Sequence, residues 1–360
     1  MALITIDKNA YEHNLGLIAN KAGGFDKVIC VLKDNAYGHG VELIAPLARQ
    51  MGVNFAALKN ENQAIFLQGF FKNILVLSHH PHGKESDEFI YALNSKDDLA
   101  RLKNGSRIHL KIDTGMHRNG VFVEDLEEIF DKAKRHNLYI EGLFTHFAAA
   151  DESEDSYLRQ REVFESAKKR ALKLSSQRLI FHSHNSAALF RCEEFPQDEL
   201  CRVGLAQFGY NEFCANLKPV LKLYAHKLSS RILKAGQSVG YGGVFTAQND
   251  LNIATYDLGY ADGLFRYDGK GVLELAELSK LENIGEIQAK LAKNGVNLSE
   301  NSHKDRAILL GRMSMDSFSC EDLGDCVCVF DDARAWARFF GTIEYEILVK
   351  LSPFIPRVLV

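Results

Sequence analysis

Between about residue 10 and residue 225, short apolar runs alternate eight times with longer amphipathic stretches, and no other feature restricts the fold as much. The runs span residues 28–32, 54–58, 74–78, 88–92, 107–112, 140–145, 178–182 and 200–204, and they read as strands. Intervening stretches such as 123–137 and 157–175 carry apolar residues at helical spacing. Eight β/α units in succession predict an α/β fold, a closed (β/α)8 barrel of the TIM type. The third and fourth units are the weakest of the eight.

After about residue 225 the texture changes. Glycine-punctuated runs at 237–247 and 251–259 read as strands, predicting a mainly β C-terminal domain over 226–360. Residues 2–7 form a strand ahead of the barrel, so the N-terminal segment 1–9 is expected to join that domain. Within 271–306, Leu281, Ile284, Ile287 and Leu291 recur at helical spacing and Gly295 follows, which predicts a helical insertion.

Composition narrows the function classes. A net charge of −4 implies no nucleic acid or other polyanion as partner. No apolar run approaches a membrane span, and the N-terminus has no signal-peptide pattern. Seven scattered cysteines, an odd number without framework spacing, suit reduced thiols in a cytoplasm. Cys326 and Cys328 alternate in a strand-like run rather than at zinc spacing, and no metal is expected.

Active sites of β/α barrels form at the C-terminal ends of the strands, and the unusual polar residues fall there. Lys33 ends the first strand, Lys111 and Arg118 belong to the fifth, and His146 ends the sixth. His182, Asn185 and Ser186 follow the seventh, and Arg202, Gly204 and Leu205 the eighth. The loops after the seventh and eighth strands suit a phosphate, through backbone N–H groups and a hydroxyl. A lysine after an apolar strand is costly to bury unless it is paired or used. As an imine it carries an aldehyde cofactor, and as a free amine it removes a proton. The alternative, a lysine snorkelling from a strand end, stays open on spacing alone.

The run Val31-Leu32-Lys33-Asp34-Asn35-Ala36-Tyr37-Gly38-His39-Gly40 resembles the pyridoxal phosphate attachment motif of alanine racemases. Further matches follow in that family's order along the whole chain: residues 111–118, 145–148, 182–188, 202–204, 239–242, 259–263, 311–316 and 345–348. Several are weak singly; their order is hard to reach by chance.

The resemblance implies a racemase that interconverts L-alanine and D-alanine and supplies D-alanine for peptidoglycan. It implies pyridoxal phosphate held on Lys33 as a Schiff base, with Lys33 one of two catalytic bases. Tyr241 is similar to the other base, on the opposite face of the substrate α-carbon. A single base tends to return the proton to the face it left. An unperturbed tyrosine is a poor base at neutral pH, so Tyr241 needs nearby positive charge, with His146 or Arg202 as the expected source.

Arg202 resembles the arginine that bonds the pyridine nitrogen, and an arginine does not give up its proton. His146 resembles a ring packed near the cofactor, and His182 a partner that orients Arg202. By the same resemblance Tyr37, Asn185, Ser186, Gly204, Leu205 and Tyr345 bind cofactor, most of them at its phosphate. Arg118 resembles the group that meets the phenolic oxygen and the substrate carboxylate. Lys111 matches a lysine that many members carry as a carbamate. Met315, supported by Asp316, resembles the residue whose backbone N–H binds the carboxylate. Tyr260 and Tyr345 resemble a constriction that favours a methyl side chain.

In the family Tyr241, Tyr260 and Met315 serve the partner's barrel, so a head-to-tail homodimer with shared sites is expected. The sequence departs from the family pattern at His117, Asn119, Phe208 and Phe354, and His117 and Asn119 flank Arg118. Two rivals remain on the residues: a non-catalytic pyridoxal phosphate carrier and a decarboxylase or broader racemase on the same plan. The C-terminal domain with Tyr241 argues against the first. Arg202 and the 31–40 run argue against a decarboxylase, whereas breadth toward other amino acids depends on the shape of the substrate opening.

Overall fold

The computed structural model describes residues 1–276, 292 and 307–360, which divide into two compact units. One comprises Ala10–Ala36 and Val41–Lys218; the other comprises Met1–Asn9, Tyr37–Gly40 and Pro219–Val360. The strand β1 (Leu3–Ile6) belongs to the second.

The first unit is a closed barrel of eight strands joined in sequence order. They are β2 (Val28–Val31), β3 (Phe55–Leu58), β4 (Asn73–Val76), β5 (Ile90–Leu93), β6 (Arg107–Lys111), β7 (Tyr139–Phe144), β8 (Ile180–His182) and β9 (Glu199–Val203). Every neighbouring pair is parallel, and β2 against β9 closes the ring with Ile29 opposite Arg202. The strands are short, and most of their residues are apolar because both faces are covered. The predicted barrel is therefore the observed one.

The weakness of the third and fourth units has a structural cause. No α-helix lies between β4 and β5 or between β5 and β6; only the 3-10 turn Lys96–Arg101 does. The 77–89 connection is held instead by polar contacts, among them Ser86 N–H on the Tyr91 hydroxyl and Lys103 N–H on Glu85. The longest helix among the described residues, Glu154–Leu174, starts where Ser153 accepts from Ser156 N–H and buries Tyr157, Phe164, Ala167 and Ala171 on one side.

In the second unit, β10 (Leu221–Leu233) is the spine. β1 pairs antiparallel with its first half, Leu3 opposite Tyr224. β11 (Ser238–Val239) and β12 (Phe245–Thr246) form a separate two-stranded sheet, whereas β13 (Leu251–Tyr256) pairs antiparallel with β10 in the main sheet. The sheet is completed by β14 (Phe318–Glu321), β15 (Cys326–Phe330) and β16 (Arg357–Leu359), the last parallel to β1. The run at 237–247 is thus two short strands flanking the turn Tyr241–Gly243.

The expected helical insertion needs one correction. Its first residues, 271–276, are not helical: Glu274 bridges Ile308, and Leu275 N–H donates to Ala307 O at 2.9 Å. Leu281, Ile284, Ile287 and Leu291 lie outside the described residues. No helix among the described residues is long and apolar enough to cross a membrane.

Candidate functional site

Lys33 emerges where β2 ends, and the backbone after it is unusual. Asp34, Asn35, Ala36 and Tyr37 have φ of 52°, 57°, 51° and 54°, four non-glycine residues in the left-handed region. Each costs about 1–2 kcal/mol relative to a right-handed turn, so the surroundings must hold them. Asn35 Oδ1 accepts from Val41 N–H at 2.8 Å, and Ala36 N–H donates to Leu32 O at 3.1 Å. Asp34 N–H donates to Gln63 Oε1, and Asp34 Oδ1 accepts from Gln63 Nε2, both at 3.2 Å.

Gly38 follows within the second unit. A Cβ there would lie 2.1 Å from Leu348 O, and Arg357 Nε donates to Gly38 O at 2.8 Å. The Tyr37 and Tyr345 rings meet edge to face, 5.8 Å apart.

Lys33 is half-buried. Burial pushes its pKa down; Asp34 opposes this, while Arg118 and Lys59 add to it. Arg118 is exposed and, among the described residues, has no ion-pair or hydrogen-bond partner. His117 does not compete with it, because His117 N–H donates to Asp113 Oδ1 and its ring lies 3.3 Å from Asp113 Oδ2. Asn119 Oδ1 accepts from the Lys111 ammonium. Burial lowers Lys111 to about 8, with Arg118 and Arg202 adding to the effect.

Arg202 is 5% exposed and sits over the Phe144 ring at 5.1 Å. Its NH1 donates to His182 O and Nδ1, its NH2 to Thr145 O, with His146 Nδ1 at 3.5 Å. Burial lowers it to about 10, which leaves it cationic at neutral pH. No carboxylate among the described residues pairs with it directly.

Burial and the nearby Arg202, Lys111, Arg118 and Lys33 hold His146 at about 3. His146 is therefore neutral, and the expectation that it supplies positive charge to Tyr241 is corrected.

His182 stacks on Phe144 at 4.9 Å and 10°, and its Nε2 lies 2.7 Å from His109 Nδ1. His109 was not singled out from sequence. Its signal was available: two residues before Lys111 on one strand, it shares that residue's inward face.

Asn185 caps the short helix Ser186–Arg191, accepting from Ala188 N–H at 2.9 Å. Ser186 Oγ accepts from Gly204 N–H at 3.1 Å, next to the turn that Leu205 opens. One barrel end thus gathers a low-pKa amine, a buried guanidinium, a second perturbed lysine and a hydroxyl–amide pair.

The remaining residues lie in the second unit and are exposed: Tyr241 66%, Met315 53%, Tyr345 40% and Tyr260 37%. Asp316 is exposed as well. Tyr241 follows Gly240, whose φ is 77°. Tyr260 and Met315 are neighbours, because Ala261 N–H donates to Met315 O at 2.9 Å.

Two family models match the chain, the alanine racemase N-terminal domain over residues 6–212 and the alanine racemase C-terminal domain over 220–359. The alanine racemase of Campylobacter jejuni subsp. jejuni serotype O:23/36 (strain 81-176) is 56% identical over 360 residues, covering all of both chains. That of Campylobacter curvus (strain 525.92) is 52% identical over 363 residues, covering 99% of each. Among solved structures, alanine racemase from D-cycloserine producing Streptomyces lavendulae superposes with a TM-score of 0.82 at 25% identity, covering 100% of this chain and 97% of that one.

Proposed function

The chain belongs to the alanine racemase family, and from that premise we propose that it interconverts L-alanine and D-alanine with pyridoxal phosphate carried on Lys33. The residues present fit such a cofactor: an amine with lowered pKa, a buried cationic donor and a hydroxyl–amide pair suited to phosphate occur at one barrel end. The observation that carries the reading is Arg202, a buried guanidinium tied to carbonyls and neutral imidazoles, which leaves a fixed donor for one further acceptor. When bound, the cofactor supplies an aldehyde for the amino group and a ring that accepts electron density from the α-carbon.

The protein's own groups then have separate tasks. Lys33, whose pKa burial lowers, takes the α-proton on its own face in one direction of the reaction and delivers a proton there in the other. With the cofactor bound, Arg202 would donate to its ring nitrogen and, keeping its own proton, would leave that nitrogen largely unprotonated, which restrains side reactions. His182 and His146 hold that guanidinium without adding charge. Arg118 meets the substrate carboxylate with a planar fork. Tyr37, Ser186, Gly204, Leu205 and Tyr345 hold the phosphate, with Asn185 fixing the turn that presents Ser186.

Lys111, with a pKa of about 8, keeps part of its amine neutral at neutral pH, the form that takes up carbon dioxide as a carbamate facing Arg118. Tyr241 delivers or takes the proton on the opposite face. Met315, backed by Asp316, binds the carboxylate through its N–H, and Tyr260 and Tyr345 limit side-chain size.

Exposure of Tyr241, Tyr260 and Met315 supports their use by a second copy of the chain, hence a homodimer with shared sites. The place of action is the cytoplasm, where D-alanine enters peptidoglycan synthesis; neither nucleic acid nor membrane takes part.

The test is borohydride reduction of the coloured holoenzyme followed by peptide mapping. The label is expected on Lys33 alone, with activity lost. A label on any other lysine refutes the assignment.

A further inference from the structure

Outside the residues that the racemase reading uses, Glu61, His79 and His82 come together beyond the ends of β3 and β4 as a group that could hold a metal ion. Glu61 opens the helix Glu61–Ile65, whose N-terminus Asn60 caps. His79 and His82 lie in the 77–89 connection, in the fragment Ser78-His79-His80-Pro81-His82. One ligand atom from each of the three side chains lies within 4.8 Å of the other two.

The two imidazole rings stand 5.2 Å apart and nearly perpendicular, at 78°. His82 Nε2 is 3.0 Å from Glu61 Oε2, and His79 Nε2 is 2.9 Å from Glu85 Oε1. Such separations are hydrogen bonds. They are also close to the edge of a tetrahedron, roughly 3.3 Å, whose centre lies about 2.0 Å from each ligand atom.

Two features mark this as a built cluster. First, both carboxylates are oriented from behind. The Tyr91 hydroxyl donates to Glu61 Oε1, and Glu85 accepts from the backbone N–H groups of His82 at 2.8 Å and Lys103 at 2.7 Å. Outer partners of this kind hold ligands ready. Second, the imidazoles and carboxylates already meet edge to edge, His82 Nε2 against Glu61 Oε2 and His79 Nε2 against Glu85 Oε1. The neighbouring cation, Lys103, directs its ammonium to the Glu85 carbonyl and to Asp87.

We propose that Glu61, His79 and His82 bind a divalent transition ion of the zinc class, with Glu85 or water as the fourth ligand. The ion staples the first turn of Glu61–Ile65 to the 77–89 connection, which has no regular structure of its own. Imidazole with carboxylate selects such ions over calcium or magnesium, which prefer all-oxygen sets. Binding through His82 Nε2 moves its proton to Nδ1 and forfeits the bond from Lys84 N–H, 3.1 Å long. That bond is exposed, so water replaces it.

The experiment uses holoenzyme cleared of metal with a chelator, then dialysed against zinc, with bound metal measured by mass spectrometry. Wild type is expected to bind one ion per chain more than His82→Ala. Loaded with cobalt instead, it shows visible ligand-field bands that His82→Ala lacks. Tyr91→Phe, which unties Glu61, lowers zinc affinity roughly tenfold. His82 is exposed, and unchanged alanine racemisation in His82→Ala verifies that this variant folds. Equal zinc content and superimposable cobalt spectra in wild type and His82→Ala overturn the proposal. Displacement of zinc by equimolar calcium or magnesium overturns the ion class.

Discussion

The chain Arg202–His182–His109 allows one arrangement of protons, and replacing His109 tests it. Arg202 keeps its protons, so NH1 donates and His182 Nδ1 accepts, at 3.0 Å. Burial, then Arg202 and His109, lowers the His182 pKa, so the ring is neutral and its proton sits on Nε2. That proton is donated to His109 Nδ1 at 2.7 Å. His109, lowered to about 3 by burial, Arg107 and Arg202, is also neutral and carries its proton on Nε2. Among the described residues this buried N–H has no partner, and it lies 2.9 Å from where a Gly142 side chain would begin.

His109→Leu removes the acceptor and strands the His182 N–H, at about 1–3 kcal/mol, but it also removes a stranded N–H of similar cost. Net stability is expected to change by less than about 1 kcal/mol, whereas kcat/KM falls about tenfold as His182 loses its fixed tautomer. His109→Asn keeps an acceptor at the Nδ1 position and leaves a small void costing about 1 kcal/mol. It is expected to be the less stable variant and the more active one, within about threefold of wild type. Urea unfolding and a coupled D-alanine assay read the two quantities. Full activity in His109→Leu, or equal losses in both variants, refutes the relay.

Four further outcomes follow from the structure. Glu199 is 1% exposed, and His184, Lys168 and Ser183 hold it at about 2 against its burial. Its folded pKa is depressed, so its stabilisation of about 3 kcal/mol is present above pH 4.5 and lost as pH falls toward 2. Glu199→Gln is expected to be less stable at pH 7, with a gap that narrows below pH 4.5 in denaturant titrations. Gly38→Ala combines a φ of 83° with a Cβ 2.1 Å from Leu348 O, and is expected to lose about 3 kcal/mol in thermal melts. Added bicarbonate is expected to raise kcat/KM in wild type severalfold and to leave Lys111→Gln unchanged; no response in wild type refutes the carbamate. Mixing inactive Lys33→Ala and Tyr241→Phe is expected to restore about a quarter of wild-type activity, since each hybrid dimer regains one intact shared site.

What could be read from the sequence follows from how each contact is encoded. Strands β2 to β5 announce themselves because a strand buried on both faces is largely apolar, as Val28–Val31 and Phe55–Leu58 are. The 77–89 connection gives no periodic signal because it is held by Glu85 and Tyr91 rather than by an apolar face. The left-handed turn after Lys33 is hidden for a different reason. None of Asp34, Asn35, Ala36 and Tyr37 is glycine, and the bonds that hold them come from Val41 and Gln63, further along the chain.

Asn119 shows the limit of judging a residue by its departure from a pattern. Next to Arg118 it reads as a threat to that side chain, but its oxygen takes the Lys111 ammonium, a buried cation otherwise facing Arg118 and Arg202. Substitution at one position is thus answered by a partner eight residues away. The polar interior of this barrel is a set of mutually dependent choices: Arg202 sets the proton on His182, His182 sets the proton on His109, and Gly142 makes room for the ring at the end. No single residue in that series carries its meaning alone, which is why Arg202 was found by the motif around it and His109 only by the distance to its neighbour.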